Sequence, residues 1–468
     1  MAWDVKMQNH PETDYYLSTR GAHNFLNRDV WGPREKSMGN PWSPENPTGT
    51  VNLRLAENSL MHEQVAGFIK TQIAIQPSEH LTYSTGPRGS LRLRRAAAAF
   101  LTEAFHARQA ITAENIFVTP GVASAIDGLA WAICNEGDGI LIPQPFYNGF
   151  EVDILNRSNA RVVPVSYTGV DGYSGLDDLF CPQVNRKALE AALNKAEFDG
   201  INVKALLISH PHNPLGRCYP PETIQQFVSF CTKHGLHFIS DEIYAHSVFD
   251  NPSIPCPVPF VSVLSLDLPR DTNPNMIHVL YGASKDFCAN GLRLGLVYTR
   301  NQGIMGAMSS IGIFSWSAHL LQDIWAAMLE DRTWMQSFMS EKRRLMERNR
   351  EIATSFLREE CEIEYYETNA GLFLWIDLRH LLEPGFNKSK DTLLSVDSPD
   401  ADSYKRRETR LAEICMRHGV LIAPGHVYAP EEYGCFRLTF TVGEEALKEG
   451  LNRFKMAVAE VKGDDGFE

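Results

Sequence analysis

The pattern of apolar and polar positions predicts alternating strands and helices over most of the chain. Short continuous apolar runs, typical of buried strands, occur over 116–118, 140–142, 162–165, 205–208, 237–240, 277–280 and 294–298. Helical stretches lie between several of these runs, over 123–134, 186–197 and 221–234. Strands of this kind are buried on both faces, and they alternate with helices along the chain. This alternation predicts an α/β fold. Its large domain is a seven-stranded, mostly parallel sheet between helices.

The remaining stretches predict a division into four parts. Residues 1–50 are rich in Pro, Gly, Asn and Trp and are expected to form an irregular arm. The large domain is expected over 51–320, although its first helices can join the smaller domain. A helical stretch over 318–360 predicts a linking helix at 321–360. Residues 361–468 predict a small α+β domain with strands over 373–378 and 437–441. Within this domain, the polar segment 382–404 is expected to be a mobile insertion.

Charge and composition exclude several functional classes. The 468 residues carry a formal net charge of −13, which argues against nucleic-acid binding. The short basic run Lys342-Arg343-Arg344 has Glu341 and Glu347 beside it and is predicted to lie on a solvated helix face. The nine cysteines are scattered without a C-x-x-C pair, so neither a disulfide framework nor a metal site is expected. No run approaches the roughly 20 apolar residues that cross a bilayer. The beginning of the chain lacks the apolar core of a signal peptide, so we expect a cytoplasmic protein that is not bound to membranes.

Lys285 is the first candidate for chemistry. It lies just after the apolar run 276–280, and Arg293 follows in the same segment. A partly desolvated lysine amine can lose its proton and form a Schiff base with an aldehyde. An arginine nearby suits a phosphate. An aldehyde that carries a phosphate indicates pyridoxal 5′-phosphate (PLP). The alternative is a surface turn with a solvated lysine.

Other polar and aromatic residues follow the predicted strands. Asp241 can hold a pyridine nitrogen protonated or simply cap a helix. Asn213, in a turn, can donate to a phenolate oxygen that Tyr244 shares, and Tyr147 can stack on a flat heterocycle or pack in the core. The small residues after Gly121 begin a helix, where free N–H groups suit a phosphate but where packing also favours small residues. Since the strands' carboxyl ends form one edge in such sheets, we expect these residues to converge.

In this order the residues resemble the class I/II aminotransferase family of fold-type I PLP enzymes, and most of all the 1-aminocyclopropane-1-carboxylate (ACC) synthases. The resemblance extends from about residue 45 to the end of the chain. The matching segments are Leu55-Ala56-Glu57-Asn58, Asn213-Pro214-Leu215-Gly216, Ser240-Asp241-Glu242-Ile243-Tyr244, Ser284-Lys285-Asp286, Gly291-Leu292-Arg293 and Trp375-Ile376-Asp377-Leu378-Arg379-His380-Leu381.

The resemblance implies a role for each matching position. Lys285 would form the Schiff base with PLP and move the substrate's Cα proton, and Glu57, typical of ACC synthases, would lie near the substrate. Arg437 would bind the substrate carboxylate, although it can also be a surface arginine at a strand end. The family's sites lie at a dimer interface, so a homodimer is implied. The remaining implied contacts are Asp241 to the pyridine nitrogen; Asn213 and Tyr244 to the phenolic oxygen; Tyr147 to the ring; Val122, Ala123, Ser284 and Arg293 to the phosphate; and Tyr83 to the phosphate from the partner subunit. Asn213 and Tyr147 would also border the substrate.

Some positions depart from the family's pattern. Gly282 stands where a serine is frequent, which removes one hydroxyl from the phosphate site. Val152 replaces the basic residue of ACC synthases. After Lys285-Asp286 the family has small residues and a proline, whereas this chain has Phe287-Cys288-Ala289-Asn290. These changes bear on the substrate and not on the cofactor.

Three functions follow as hypotheses. The first is an ACC-synthase-like enzyme that deprotonates Cα of S-adenosylmethionine or a similar amino acid and then eliminates, cyclises or substitutes at the γ-carbon. The second is a plain aminotransferase, which needs the same cofactor residues and no γ-chemistry. The third is a non-catalytic PLP-binding regulator. It is disfavoured because the first 50 residues lack the helices and positive charge of a DNA-binding domain.

Overall fold

The computed structural model describes residues 15–27, 38–382 and 400–463, together with the single residues 12 and 35. The helices, in chain order, are α1 Thr19–Asn27, α2 His62–Gln72, α3 Pro77–His80, α4 Leu91–Ala104, α5 Val122–Ile133, α6 Gly149–Ser158, α7 Pro182–Phe198, α8 Pro221–His234, α9 Ala283–Asp286, α10 Gln302–Gly312, α11 His319–Glu330, α12 Arg332–Glu360, α13 Arg379–Leu382, α14 Ala401–Arg417 and α15 Glu444–Gly463. The strands are β1 Val51–Asn52, β2 Ile116–Thr119, β3 Gly139–Pro143, β4 Arg161–Val165, β5 Val203–Ser209, β6 His237–Asp241, β7 Ile277–Gly282, β8 Gly295–Thr299, β9 Tyr365–Tyr366, β10 Phe373–Asp377, β11 Val420–Leu421, β12 Ala423–Pro424 and β13 Cys435–Thr439.

The chain forms two compact units, residues 1–50 and 51–468. The first unit, expected to be irregular, contains helix α1. The hydroxyl of Ser18 accepts the N–H of Gly21 at 3.1 Å and so satisfies one of the free donors of the first helical turn. The rings of Tyr15 and Phe25 pack edge to face at 5.5 Å.

The main sheet of the second unit has the predicted α/β form. Among the described residues, seven strands pair in the order β2-β8-β7-β6-β5-β3-β4. Strand β8 runs antiparallel to both neighbours, and the other pairs are parallel. The seven apolar runs in the sequence are therefore confirmed as the strands of a mostly parallel sheet.

Helices cover both faces of this sheet because alternate residues of each strand enter different cores. On β5, Leu206 and Ile208 belong to one buried apolar cluster, whereas Ala205 and Leu207 belong to another. Strand residues that are apolar on both faces need a helical layer on each side. This packing fixes the strand ends, and with them the loops that carry the candidate residues.

The carboxyl ends of β5, β6 and β7 lie side by side. Ser209, the last residue of β5, pairs with Asp241, and Asp241 pairs with Leu280 near the end of β7. Because the three strands are parallel, the residues that follow them emerge at one edge of the sheet. This edge is where the sequence places its candidate site.

The C-terminal part contains an antiparallel sheet in the order β12-β13-β10-β9. Strands β10 and β13 lie where strands were predicted, with ends displaced by up to two residues. Residues just after Thr50 join this part: β1 pairs with β11, and the N–H of Thr439 donates to the carbonyl of Leu53 at 2.8 Å. The division at residues 320 and 360 stays a prediction, and most of the predicted insertion 382–404 lies outside the described residues.

The helical stretch 318–360 is divided at Asp331. Its carboxylate accepts the N–H of Trp334 at 2.9 Å and caps helix α12, so α11 ends at Glu330 and a new helix begins. Aspartate stabilises a helix start in this way because the first N–H groups have no partner within the helix.

The predicted solvated position of Lys342 on α12 is wrong. Its side chain is fully buried, and its ammonium donates to the carbonyl of Asp286 at 2.8 Å. The opposite charge of Asp286, next to Lys285 on α9, makes this burial possible, and sequence spacing does not reveal that partner. Within the described ranges, no helix is long and apolar enough to cross a membrane.

Candidate active site

Lys285 lies on the short helix α9, directly after β7. Its amine donates to the carbonyl of Ala56 at 2.5 Å. Burial, together with the charge of Arg437, lowers the pKa of Lys285 to about 8, against the opposing charges of Glu57 and Asp241. A lysine with this pKa has an appreciable neutral fraction near pH 7, so it can act as a nucleophile or a base.

Asp241 ends β6 and is buried. Among the described residues, the donor found for its carboxylate is the N–H of Ile243, at 3.3 Å. Burial raises the pKa of Asp241 to about 7, against the opposing effects of that N–H and of Lys285. A buried carboxylate with so little compensation gains free energy from a cationic N–H partner.

Asn213, Tyr244 and Arg437 form a buried group near the same edge. The guanidinium of Arg437 donates to the side-chain oxygen of Asn213 at 3.0 Å and to the carbonyl of Arg54 at 2.8 Å, while its Nε has no partner among the described residues. Burial raises the pKa of Tyr244, an effect that the charge of Arg437 opposes. The Arg437 guanidinium also lies 4.8 Å from the centre of the Phe373 ring. The site therefore has a fixed, desolvated cation of the kind that binds a carboxylate in a bidentate manner.

An anion cradle lies where α5 begins. Gly121 precedes the helix and offers no side-chain cap to its first N–H groups, which include those of Val122 and Ala123. A Cβ atom on Gly121 would lie 2.5 Å from Nη2 of Arg293, and the backbone φ is +85°, so only glycine fits here. Arg293 is held there by the carbonyls of Pro120 and Asn290, at 3.1 and 2.9 Å. A guanidinium beside an uncapped helix start favours a phosphate.

Glu57 is held by hydrogen bonds to two other segments of the chain. Its side-chain Oε1 accepts the amide N–H of Asn290 at 2.5 Å, and its backbone carbonyl accepts the hydroxyl of Thr441 at 2.6 Å. Its charge raises the pKa of Lys285, which places the carboxylate within electrostatic range of the amine.

The other predicted residues differ in how close they lie to the buried group around Lys285. Tyr147 is half-buried and within electrostatic range of Tyr244, and Ser284 is buried beside Lys285. Tyr83 is 80% exposed, and its ring packs edge-on against Trp316 at 6.3 Å. Tyr83 is therefore a surface residue of the single chain and not part of the buried group.

Residues that the motifs did not single out also contribute. Burial, together with the charges of Asp241 and Asp127, raises the pKa of Asp153 on α6 to about 7, against the opposing charge of Arg293. The backbone of Arg54 and Ala56 supplies acceptors to Arg437 and Lys285. The one available signal for Asp153 was its position on the helix after Tyr147. The backbone contacts leave no signal in the sequence.

The side chains at this edge fit PLP. Among the described residues, no cationic side chain forms a direct ion pair with the buried carboxylate of Asp241, and the neutral fraction of Lys285 suits condensation with an aldehyde. The missing side chain at Gly121 leaves the helix start open beside Arg293. No group of three or more His, Cys, Asp or Glu residues that could hold a metal ion occurs in the part of the chain that the structure describes.

Comparisons with known proteins agree with this arrangement. The family described as aminotransferase class I and II matches residues 43–454. An ACC synthase of Prunus mume is 28% identical over 90% of this chain and 81% of its own length. A probable aminotransferase of Aspergillus fumigatus, gliI, is 32% identical over 87% of this chain and 89% of its own length.

Two further similarities concern activity and fold. A mouse protein named as a probable inactive ACC synthase-like protein is 32% identical over 89% of this chain and 67% of its own length. A double mutant of the aspartate aminotransferase of Thermus thermophilus has a TM-score of 0.67 at 21% identity and covers 94% of this chain and 97% of its own. At that identity the solved structure establishes the fold, which is that of fold-type I enzymes.

Proposed function

We propose that this chain, which belongs to the aminotransferase class I and II family, is a PLP-dependent enzyme that acts on an α-amino acid with ACC-synthase-like chemistry. The observation that carries the proposal is the convergence of Lys285, Asp241 and Arg437 at one buried edge, with Glu57 beside the amine. Family relatives include ACC synthases and ACC synthase-like proteins, which agrees with the proposal.

Each part of the cofactor has a group to hold it. Asp241 would accept the ring N–H, Asn213 and Tyr244 would bond the phenolic oxygen, and Tyr147 would cover the ring. The phosphate would lie against Arg293, with the remaining contacts from Ser284 and from the N–H groups of Val122 and Ala123. Bound there, PLP supplies an aldehyde that condenses with amines and a protonated ring that withdraws electrons from Cα.

Arg437 and Lys285 would act on the substrate. Arg437 would hold the α-carboxylate through its guanidinium, which Asn213 and the carbonyl of Arg54 already fix in direction. Substrate fixed in this way presents Cα to Lys285. The neutral amine of Lys285 would take the Cα proton and return it where the reaction requires, because its pKa of about 8 lies near the working pH.

Glu57 favours γ-chemistry over simple amino-group transfer. Its carboxylate lies within electrostatic range of Lys285 and accepts the amide N–H of Asn290. Cofactor binding and Cα deprotonation do not need this acid, so its presence points to a further step beyond Cα. The favoured substrate is S-adenosylmethionine or an amino acid with a comparable γ-leaving group.

A plain aminotransferase is the second candidate. The Aspergillus relative is named a probable aminotransferase, and the segment 287–290 departs from the ACC-synthase pattern. This function would use the same cofactor residues and Arg437, and Glu57 would then serve binding alone.

One assay separates these functions. Purified protein with PLP is incubated with S-adenosylmethionine, and in parallel with a panel of amino acids plus a keto acid. The proposal predicts release of methylthioadenosine in the first reaction. Transfer of the amino group to the keto acid without methylthioadenosine would instead establish the aminotransferase, and the absence of both products would contradict an enzymatic role. The Glu57→Gln variant should lose methylthioadenosine release and retain its visible cofactor band.

We also propose a homodimer in which Tyr83 reaches the partner's phosphate site. Leu81, Tyr83, Ile313 and Phe314 expose 72%, 80%, 60% and 84% of their surface. The two loops that carry them are neighbours, as the contact between the rings of Tyr83 and Trp316 shows. Apolar side chains grouped in this way are typical of a protein interface.

A dimer predicts twice the chain mass of 52.6 kDa in sedimentation equilibrium. The Phe314→Asp variant should shift the population towards monomer, because an unpaired charge at an apolar interface is costly. Phe198→Asp is a matched control, since Phe198 is 91% exposed at the end of α7 and is not in these loops. A wild-type monomer at micromolar concentration would contradict the dimer.

A further inference from the structure

Asn290 connects the two sides of the candidate site. Its side-chain amide donates to Oε1 of Glu57 at 2.5 Å. Its backbone carbonyl accepts a guanidinium N–H of Arg293 at 2.9 Å. One residue therefore contacts both the acid beside Lys285 and the arginine of the anion cradle.

The contact is notable because Glu57 has an alternative partner of opposite charge. The carboxylate lies within electrostatic range of Lys285 and raises the pKa of its amine. The amine nevertheless donates to the carbonyl of Ala56, and the carboxylate receives the neutral amide of Asn290. In a poorly solvated site a direct ion pair would be strong. It would hold Lys285 as an ammonium ion, which is neither a nucleophile nor a base.

The backbone around Glu57 restricts where its carboxylate can go. The hydroxyl of Thr441 donates to the carbonyl of Glu57 at 2.6 Å, and Arg437 donates to the carbonyl of Arg54 at 2.8 Å. With the backbone fixed, rotation of the side chain is the main freedom that remains. Asn290 restrains that rotation through one hydrogen bond to a charged acceptor, a contact stronger than one between neutral groups.

We propose that Asn290 is a positioning residue that holds the Glu57 carboxylate away from Lys285, so that the amine stays reactive and the acid faces the substrate. The benefit of this restraint rests on the proposed function, whereas the hydrogen bond between Asn290 and Glu57 is present in the chain without cofactor. It belongs to this chain in particular, because the family's pattern after the lysine has small residues and a proline, which carry no such donor.

The test is the pKa of the Lys285 amine in the full-length, cofactor-free protein. Formaldehyde with a borohydride reductant methylates neutral amines, and mass spectrometry of the Lys285 peptide gives the rate at each pH. In Asn290→Ala, the released carboxylate pairs with the ammonium and raises its pKa by about one unit. Labelling of Lys285 at pH 7 should then be about tenfold slower than in the wild type. Asn290→Leu, which keeps the size and loses the donor without adding a charge, should change the rate in the same direction.

Glu57→Gln supplies the decisive comparison. If Asn290 acts through Glu57, the double variant Asn290→Ala/Glu57→Gln labels at the rate of Glu57→Gln alone. Asn301→Ala, a matched loss of an asparagine that caps α10, should leave Lys285 labelling at the wild-type rate. Rescue is expected from Asn290→Gln, which retains an amide donor.

Two results would overturn the inference. One is unchanged labelling in both Asn290→Ala and Asn290→Leu; the other is slowing that persists unchanged in the Glu57→Gln background. Because labelling needs no cofactor, it tests the role of Asn290 independently of the proposed function. The proposed function would fail separately, if the wild-type protein gained no visible absorption band with PLP. When PLP is bound, the pH at which the visible absorption band is half converted should also be higher in Asn290→Ala than in the wild type.

Discussion

Replacing Lys285 with alanine is expected to remove covalent cofactor attachment and to lower turnover by about 10²- to 10⁴-fold, the range that a positioned acid–base group contributes. No neighbouring group can replace it, because the other basic side chains in electrostatic contact with the amine are Arg437 and Arg293, which stay protonated. The measurement is steady-state turnover with the substrate found in the product assay. Lys70→Ala, at an exposed lysine on α2, is the matched control and should keep wild-type activity.

The pH dependence of cofactor attachment provides a second readout for the same residue. Burial lowers the pKa of Lys285 to about 8, and the neutral amine is the reactive form. The attachment rate should therefore rise with pH and level off above about 8. Turnover by Lys285→Ala within threefold of wild type would refute the role given to this lysine.

Lys342→Met is expected to destabilise the protein by about 3–5 kcal/mol, the cost of leaving one partner of a buried ion pair without the other. Lys342 and Asp286 are both fully buried. Asp286 also accepts the hydroxyls of Ser247 and Tyr281 and the N–H of His246, at 2.7, 3.0 and 2.8 Å. These neutral donors would remain, but the charge of the carboxylate would lose its counter-ion.

Urea unfolding followed by fluorescence measures this change. Adding Asp286→Asn to Lys342→Met should recover part of the loss, because the uncompensated charge is then removed. Arg344→Met, at an exposed position on the same helix, should change stability by less than about 0.5 kcal/mol. If Lys342→Met were as stable as Arg344→Met, the buried pair would not be important for stability.

The pattern of apolar positions predicted the sheet because six of its seven strands are almost entirely buried; the edge strand β4 exposes Arg161 and Pro164. A run such as 205–208 has no polar residue, and the structure places its alternate residues in two separate cores. The pattern was less informative at element ends. Capping by Asp331 divides a stretch that has no glycine or proline to indicate a break, and strand ends depend on hydrogen bonds that apolar patterning does not determine.

The candidate residues at strand ends were predictable for a topological reason. Asn213, Asp241 and Lys285 follow three adjacent parallel strands, so knowing the strands is enough to bring them together. Contacts between distant segments were not predictable. The Asn290–Glu57 contact joins residues 233 apart in the chain, and Lys342 meets Asp286 across 56 residues. A single sequence contains no periodic signal for such pairs, so the buried Lys342 was predicted to be solvated.

Covalent binding of PLP to Lys285 underlies every role proposed for the site. To test it, PLP is added to the purified protein, the adduct is reduced with borohydride, and the modified residue is located by digestion and mass spectrometry. We expect one phosphopyridoxyl group per chain, on the peptide that contains Lys285, and no specific modification in Lys285→Ala. A wild-type protein that takes up no cofactor, or a variant that takes up as much as the wild type, would refute the proposed role of Lys285.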